Sequence, residues 1–392
     1  MDMKMNVSFI GCWYRGDMYS HHFMSLIRGM DKNDGLNVKL ITSNCNCFSS
    51  AQRFGIARDE LLNDKCKVVK LPYAPLEPNK KYGLLKYNLV KHSRLNYFLD
   101  MARGMSFFFR CRDADIIHFD QVLRAFGILS FTALLACAKM FGKKVVVTVH
   151  ELDPLQERYK GLSKFYNLAD KVLVFSEGFR DELKGLGVRD EKIEIVPYAV
   201  SLEPIKYYKR EGFIFFGGHK LLKGKGFDTL LDALKIVRSK GRKTSVVIYA
   251  GKGCNGLEDG KQRVADEGLE EFISWRDFLW GPMLCEAYQK SVGCIIPFTS
   301  GSGRHPATSA MANATPVIAT RKAALPEYLG DLGIFIDEGS AEELADAMTH
   351  LLDHHDAVIS SGTKLRERAE KFFSAETITK RLVAIYREVK NS

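Results

Sequence analysis

The chain has 392 residues, 46% hydrophobic and 27% charged, the composition of a globular protein with two domains or one large one, which excludes a disordered or collagen-like polypeptide. The net charge is +10, and the first half carries most of it: residues 1–200 hold 30 Lys and Arg against 22 Asp and Glu, and the remainder 27 against 25. A basic first half implies an anionic partner (nucleic acid, a phosphate-bearing substrate or an acidic membrane surface), and charge alone does not choose among them.

The start, MDMKMNVSFIG, has no apolar h-region behind a basic segment, so no signal peptide is expected. Short β-branched or apolar runs then alternate with helical patterns. Strands are predicted over Asn6–Ile10, Asn37–Thr42, Cys66–Leu71, Ile116–Phe119, Lys144–Val149, Lys171–Phe175 and Ile193–Pro197, with helices at Ser20–Gly29, Phe126–Phe141 and Glu177–Gly185. The apolar run Phe126–Ala138 is 13 residues long, short of the roughly 18–20 that span a bilayer, and reads as a buried helix. The nine cysteines are scattered without CxxC pairs. That pattern fits idle thiols in a reducing cytosol better than disulfides or a zinc site.

Residues 79–112 hold eight basic side chains, among them Lys80, Lys81 and Lys86, against the single acid Asp100. Tyr82, Tyr87, Tyr97 and the run Phe107–Phe109 are interleaved with them. Such a stretch either lies at a membrane interface, or holds an anionic acceptor, or is a solvated face over core aromatics. Nucleic-acid binding is disfavoured, since no recognised module accompanies the charge.

His118 and His150 each close a predicted strand. At the carboxyl end of a central strand a histidine faces the region where ligands collect in doubly wound sheets, although many such histidines are structural.

After a polar stretch, Val200–Gly212, taken as a linker, the alternation resumes. Strands are predicted at Phe213–Phe216, Ser245–Ala250, Phe272–Trp275, Cys294–Pro297, Pro316–Ala319 and Gly333–Ile336, with helices at Asp228–Ser239 and Ala341–Leu352. A last helix with one apolar face covers Ala375–Val389. Strands alternating with helices imply βαβ units and parallel sheets covered on both faces. The predicted fold is therefore α/β, two Rossmann-like doubly wound domains facing across a cleft: residues 1–205, residues 206–374, and a closing helix at 375–392 that returns to the first domain.

Two loops of the second half carry chemistry. In Phe216-Gly217-Gly218-His219-Lys220-Leu221-Leu222-Lys223-Gly224-Lys225-Gly226 a strand enters a glycine-rich, lysine-dense loop. Glycines let the backbone approach a ligand, and lysines supply point charges to a diphosphate. The spacing is not that of a Walker loop. In Pro297-Phe298-Thr299-Ser300-Gly301-Ser302-Gly303-Arg304-His305-Pro306 a buried strand ends in a Ser/Gly loop before a helix, which suits an anion nest with Arg304 adding a guanidinium. Glu327, after another strand, either caps a helix or meets a ligand hydroxyl.

In their order these motifs resemble the GT-B glycosyltransferases, specifically the retaining family 4 type. That family's G-R-L-x-x-x-K-G is similar to Gly218 through Gly226, with Lys220 for the arginine. Its P-S-x-x-E-G-F-G-L-P-x-x-E-A-M-A-x-G-x-P-V-I-A is similar to Pro297–Ala319, its L-P-E-x-x-G-D-x-G to Leu325–Gly333, and its T-x-H-D-x to Thr148–Leu152. The resemblance implies a hexosyltransferase-type enzyme acting with retention in polysaccharide or glycoconjugate synthesis. It also implies no metal and no cofactor other than a nucleotide-diphosphate sugar as co-substrate.

In this reading Lys220 and Lys225 hold the diphosphate, and His150 contacts the donor sugar. Gly218, Ser300, Gly301, Ser302, Gly303, Arg304, Ser309 and Glu327 line the donor site. The acceptor is a glycan or lipid-linked molecule, and the expected location is cytoplasmic, at the inner face of a membrane contacted through residues 79–112. The chain departs from the family at Gly301 and Ser309, which stand where the family has paired glutamates. Two alternatives stay open: a catalytically silent nucleotide-sugar-binding partner subunit, and a nucleotide-sugar epimerase.

Overall fold

The computed structural model describes residues 4–11, 19–43, 67–71, 108–120, 135–150, 162–206, 208–218, 221–222, 224–251, 254–277, 279 and 281–392. Two compact units emerge. One comprises residues up to Ser20, Leu26–Pro197 and Thr379–Ser392; the other comprises His21–Ser25 and Tyr198–Ile378.

The first unit is built on a seven-stranded, wholly parallel sheet in the order β3-β2-β1-β4-β5-β6-β7. Its strands are β1 (Met5–Gly11), β2 (Leu36–Ser43), β3 (Lys67–Leu71), β4 (Ile116–Asp120), β5 (Lys144–Thr148), β6 (Lys171–Val174) and β7 (Ile193–Ile195). β4 is buried along its whole length and β5 over Val145–Thr148, because a parallel strand is covered on both faces and reads as a continuous apolar run. α1 (Tyr19–Asp31), α2 (Leu162–Leu168) and α3 (Glu177–Gly185) are among the connections. Ser176 caps α3 by accepting the Phe179 amide at 3.3 Å.

The second unit repeats the scheme with six parallel strands in the order β10-β9-β8-β11-β12-β13. They are β8 (Phe213–Phe216), β9 (Val246–Tyr249), β10 (Ile273–Arg276), β11 (Gly293–Ile296), β12 (Val317–Thr320) and β13 (Ile334–Ile336). The helices are α4 (Phe227–Ser239), α5 (Leu257–Asp266), α6 (Gly281–Gln289), α7 (Arg304–Ala312), α8 (Leu325–Leu329), α9 (Ala341–Asp353) and α10 (His355–Phe372). Phe213, Phe215, Phe227, Leu230, Leu234 and Ile248 are central to its core. The chain closes on α11 (Ala375–Asn391).

Every strand predicted from the sequence is present, with ends that move by a residue or two. The two sheet orders each contain one place where the strand sequence reverses, between β1 and β4 and between β8 and β11. Ligands of doubly wound sheets bind outside the carboxyl ends of the strands at such points.

Candidate functional site

In the second unit the loops after β8 and β11 are the two that flank this reversal, and they clasp one another. The Gly224 carbonyl accepts the amides of Thr299 (3.2 Å) and Ser300 (3.1 Å). At Gly226 the backbone has φ +70°, and a Cβ there would run into the Pro297 carbonyl. Only glycine permits that approach without strain.

Lys225 lies in this junction. Its Nζ stands 4.0 Å from the centroid of the Phe298 ring. A Cβ placed on Gly301 would be 3.8 Å from that Nζ, and one placed on Gly218 would be 3.8 Å from Lys225 Cε. The half-buried side chain therefore runs between the two glycine loops, with its charge at the turn of residues 299–303. Lys220 lies outside the described residues. Cys254 packs close by, and its thiol is pushed up by burial while Lys225 partly offsets the rise.

The β11 loop leads directly into α7. Gly303 is its N-cap, left-handed at φ +60°, with no side-chain cap. A Cβ there would press on Leu325, so the tight turn that delivers the chain into the helix again requires glycine. The first turn of an α-helix presents amides with no intrahelical acceptor and the positive end of the macrodipole.

All nine residues of α7 are buried, and its other end is held by cations. Arg366 donates to the Ala312 carbonyl, and Arg210 Nη2 donates to the Ala314 carbonyl at 2.9 Å. Guanidinium groups at a helix C-terminus complement its negative pole. The arrangement fixes a helix whose N-terminus opens onto the loop of Ser300, Gly301 and Ser302. Ser300 and Gly301 are exposed there and Ser302 is half-buried.

The other expected site residues of this unit stand as follows. Arg304 is buried beside Tyr328, and its charge tempers the large rise that burial gives that phenol. Ser309 is buried beside Tyr288, whose hydroxyl donates to the Pro306 carbonyl at 3.3 Å. Glu327 is exposed on α8, and its carbonyl accepts Arg368 Nη2 at 2.9 Å.

In the first unit, the carboxyl ends of β4 and β5 carry a buried polar ladder. β4 and β5 pair in parallel with Asp120 opposite Thr148. Because side chains alternate along a strand, His118 and Asp120 share a face of β4. Thr148 and, two residues on, His150 extend the ladder from β5. His118 Nε2 meets Thr148 Oγ1 at 2.7 Å, and its Nδ1 meets the hydroxyl of Tyr386 on α11. Burial holds the His118 pKa down at about 3, so the ring is neutral at physiological pH.

His150 is 2% exposed and its Nε2 lies 2.5 Å from Asp120 Oδ1. The edge of the ring packs against Phe175, with centroids 4.8 Å apart. The sequence reading named both histidines and missed Asp120 and Tyr386. Asp120 was within reach of it, as the last residue of a strand two positions beyond a histidine. Tyr386 lies 268 residues from His118 along the chain, and nothing local marks it.

Two wholly parallel, doubly wound sheets, the second with Lys225 and a glycine-capped helix N-terminus at its reversal point, are the architecture of a GT-B-type protein. Comparison with known proteins makes the class specific. A model described as "Glycosyl transferases group 1" matches residues 210–354, and one described as "Glycosyltransferase Family 4" matches residues 20–204. The chain belongs to these GT-B glycosyltransferases.

It is 26% identical over 301 residues to the MMP alpha-(1->4)-mannosyltransferase of Mycolicibacterium hassiacum, a match covering 70% of each chain. A solved glycosyltransferase from Rickettsia africae superposes with a TM-score of 0.73 at 15% identity, covering 99% of this chain and 100% of that one. Anabaena HepE in complex with UDP gives 0.70 at 13% identity, covering 98% and 100%. At these identities the two solved structures establish the fold alone.

Proposed function

We propose that the protein transfers a hexosyl group from a nucleoside-diphosphate sugar to a glycan or lipid-linked acceptor, with retention at the anomeric carbon and without a metal. The observation that carries this reading is the convergence on Lys225. One lysine, two interlocked glycine loops and the start of a buried helix meet at the reversal point of the second sheet.

As the glycosidic bond breaks, its electron pair leaves on a phosphate oxygen and positive charge develops on the sugar. Preorganised cations and amide dipoles aimed at the departing diphosphate stabilise that state more than the ground state. Lys225, the 300–303 backbone and, by resemblance, Lys220 take this role. Gly218, Arg304, Ser309 and Glu327 are assigned to the remainder of the donor site. His150 is assigned to the donor sugar. The basic, aromatic segment 79–112, most of which lies outside the described residues, supports an acceptor carried at a membrane surface. Among the described residues no helix is long and apolar enough to cross a membrane.

A second reading is a silent nucleotide-sugar-binding subunit. Gly301 has no side chain where the family has one glutamate, and Ser309, which stands where it has the other, is buried and carries no charge. One experiment addresses both. Melting is followed with UDP, GDP, ADP and CMP, and the tightest nucleotide's sugars are then assayed for turnover. Ligand at about a hundred times its Kd adds about 2.7 kcal/mol to stability, a shift of several degrees for one nucleoside diphosphate. No shift with any of them overturns the donor site; a shift without turnover on any sugar and acceptor selects the silent reading.

A further inference from the structure

We propose that Asp120 is a positioning residue, holding the His150 ring in one tautomer and one orientation through its Nε2–H; the proposal rests on the assignment of His150 to the donor sugar. The two residues come from neighbouring elements, Asp120 closing β4 and His150 lying two residues beyond β5. Their contact of 2.5 Å is within the range of a charge-assisted hydrogen bond. Both are at least nine-tenths buried. A carboxylate withdrawn from water is costly unless paired, and an apolar pair of similar volume would hold the sheet at least as well. The pair stands at the carboxyl end of the first sheet, and Asp120 closes β4, one of the two strands that flank its reversal, the region where such folds put ligand-contacting groups.

Among the described residues, Asp120 is the group that meets a ring nitrogen of His150. Thr148, on the same face, is engaged by His118 Nε2. His118 is itself fixed by the Tyr386 hydroxyl and kept neutral by burial, so it adds no second charge to the ladder. Phe175 meets the His150 ring edge-to-face and restricts its rotation. A carboxylate only accepts, so the Nε2 it faces must carry the proton. An asparagine in its place offers either an oxygen or an NH2 group, and the tautomer is no longer dictated. In the catalytic triad of serine proteases, exchanging the aspartate for asparagine leaves geometry intact and lowers turnover through the wrong tautomer.

The test uses Asp120→Asn, His150→Ala and the double variant in the full chain. Readouts are the 15N spectrum of the histidine rings, hydrolysis of UDP-glucose and GDP-mannose without acceptor, and binding of UDP and GDP. Expected are an Nε2-protonated His150 in the unmodified protein and loss of that signature in Asp120→Asn. Hydrolysis is expected to fall at least tenfold in each single variant, with no further fall in the double variant, since the two act in series. Affinity for UDP or GDP, which lack the sugar, should stay within twofold; a merely structural defect would lower it as well.

If His150→Ala hydrolyses normally, the assignment of His150 fails and the proposal with it. If His150→Ala is slow while Asp120→Asn is not, the positioning role alone is overturned. Should Asp120→Asn not fold, the unmodified protein still decides, because an Nδ1-protonated His150 contradicts the proposal.

Discussion

Replacing Lys225 by alanine separates the donor-site reading from a structural role for the same side chain. What the fold loses is small and can be bounded. The ammonium sits 4.0 Å from the Phe298 ring centroid, a cation–π contact of about 0.5–1 kcal/mol at a half-exposed site. What the ligand loses is larger. A hydrogen bond from a charged donor to a phosphate contributes about 1.5–3 kcal/mol, which corresponds to a roughly 10- to 150-fold rise in Kd for a nucleoside diphosphate.

The transition state carries more charge on the diphosphate than the ground state, so kcat should fall in addition to the loss in binding. Calorimetric titration with UDP or GDP, turnover and thermal melting on one preparation resolve these effects. The expected result is a melting point within a few degrees of the unmodified protein, affinity down at least tenfold, and turnover down further. Lys225→Arg should recover part of the affinity, since charge is kept and only geometry changes. An affinity within twofold of the original in Lys225→Ala, with melting preserved, refutes the idea that this lysine faces the diphosphate.

The buried His118 makes stability depend on pH. Its pKa falls from 6.5 to about 3 on folding, so between those values the unfolded chain binds a proton that the native state refuses, and stability declines as pH drops. The loss is about 2 kcal/mol at pH 5 relative to pH 8, and denaturant melts of His118→Gln, which cannot titrate, should show a correspondingly shallower acid slope; equal slopes would contradict a neutral buried ring. At the membrane, replacing Lys80, Lys81 and Lys86 together by glutamine should weaken flotation with anionic liposomes, by about 1 kcal/mol for each lysine held near the surface; flotation that is unchanged argues against contact through residues 79–112.

The strands were legible because a parallel sheet buried on both faces demands uninterrupted β-branched and aromatic runs. Phe213–Phe216 and Val145–Val147 have no other use for such residues. The two glycine loops were legible as well, since the close approach at Gly226 and the left-handed turn at Gly303 leave glycine as the unstrained choice. The long helix α10 was missed. It buries only Val358, Gly362, Leu365 and Ala369, a stripe too narrow to announce itself in a charged sequence. Its purpose becomes visible only in three dimensions, where Arg366 and Arg368 reach back to carbonyls of Ala312, Tyr328 and Glu327. The same holds for the Asp120–His150 pair. Each residue is readable alone, but the register that sets Asp120 opposite Thr148, and so within reach of His150, belongs to the sheet.

The absent glutamates bear on how such a donor site can work. A carboxylate grown from position 301 would start 3.8 Å from the Lys225 ammonium, close enough to pair with it and offset the charge offered to a diphosphate. The left-handed backbone there, φ +84°, also disfavours any side chain. In the proposed donor site, glycine at 301 leaves the lysine its charge for the phosphate and lets the neighbouring backbone approach the donor closely. In that reading, contact with the sugar comes from groups other than a carboxylate at position 301. In the proposed reading that contact falls to His150, a polar side chain two residues beyond β5 whose Nε2 meets the buried Asp120 carboxylate. The loss of one anionic contact thus increases the weight on the Asp120–His150 pair, and turnover should be more sensitive to that pair than to any serine of the 300–302 loop.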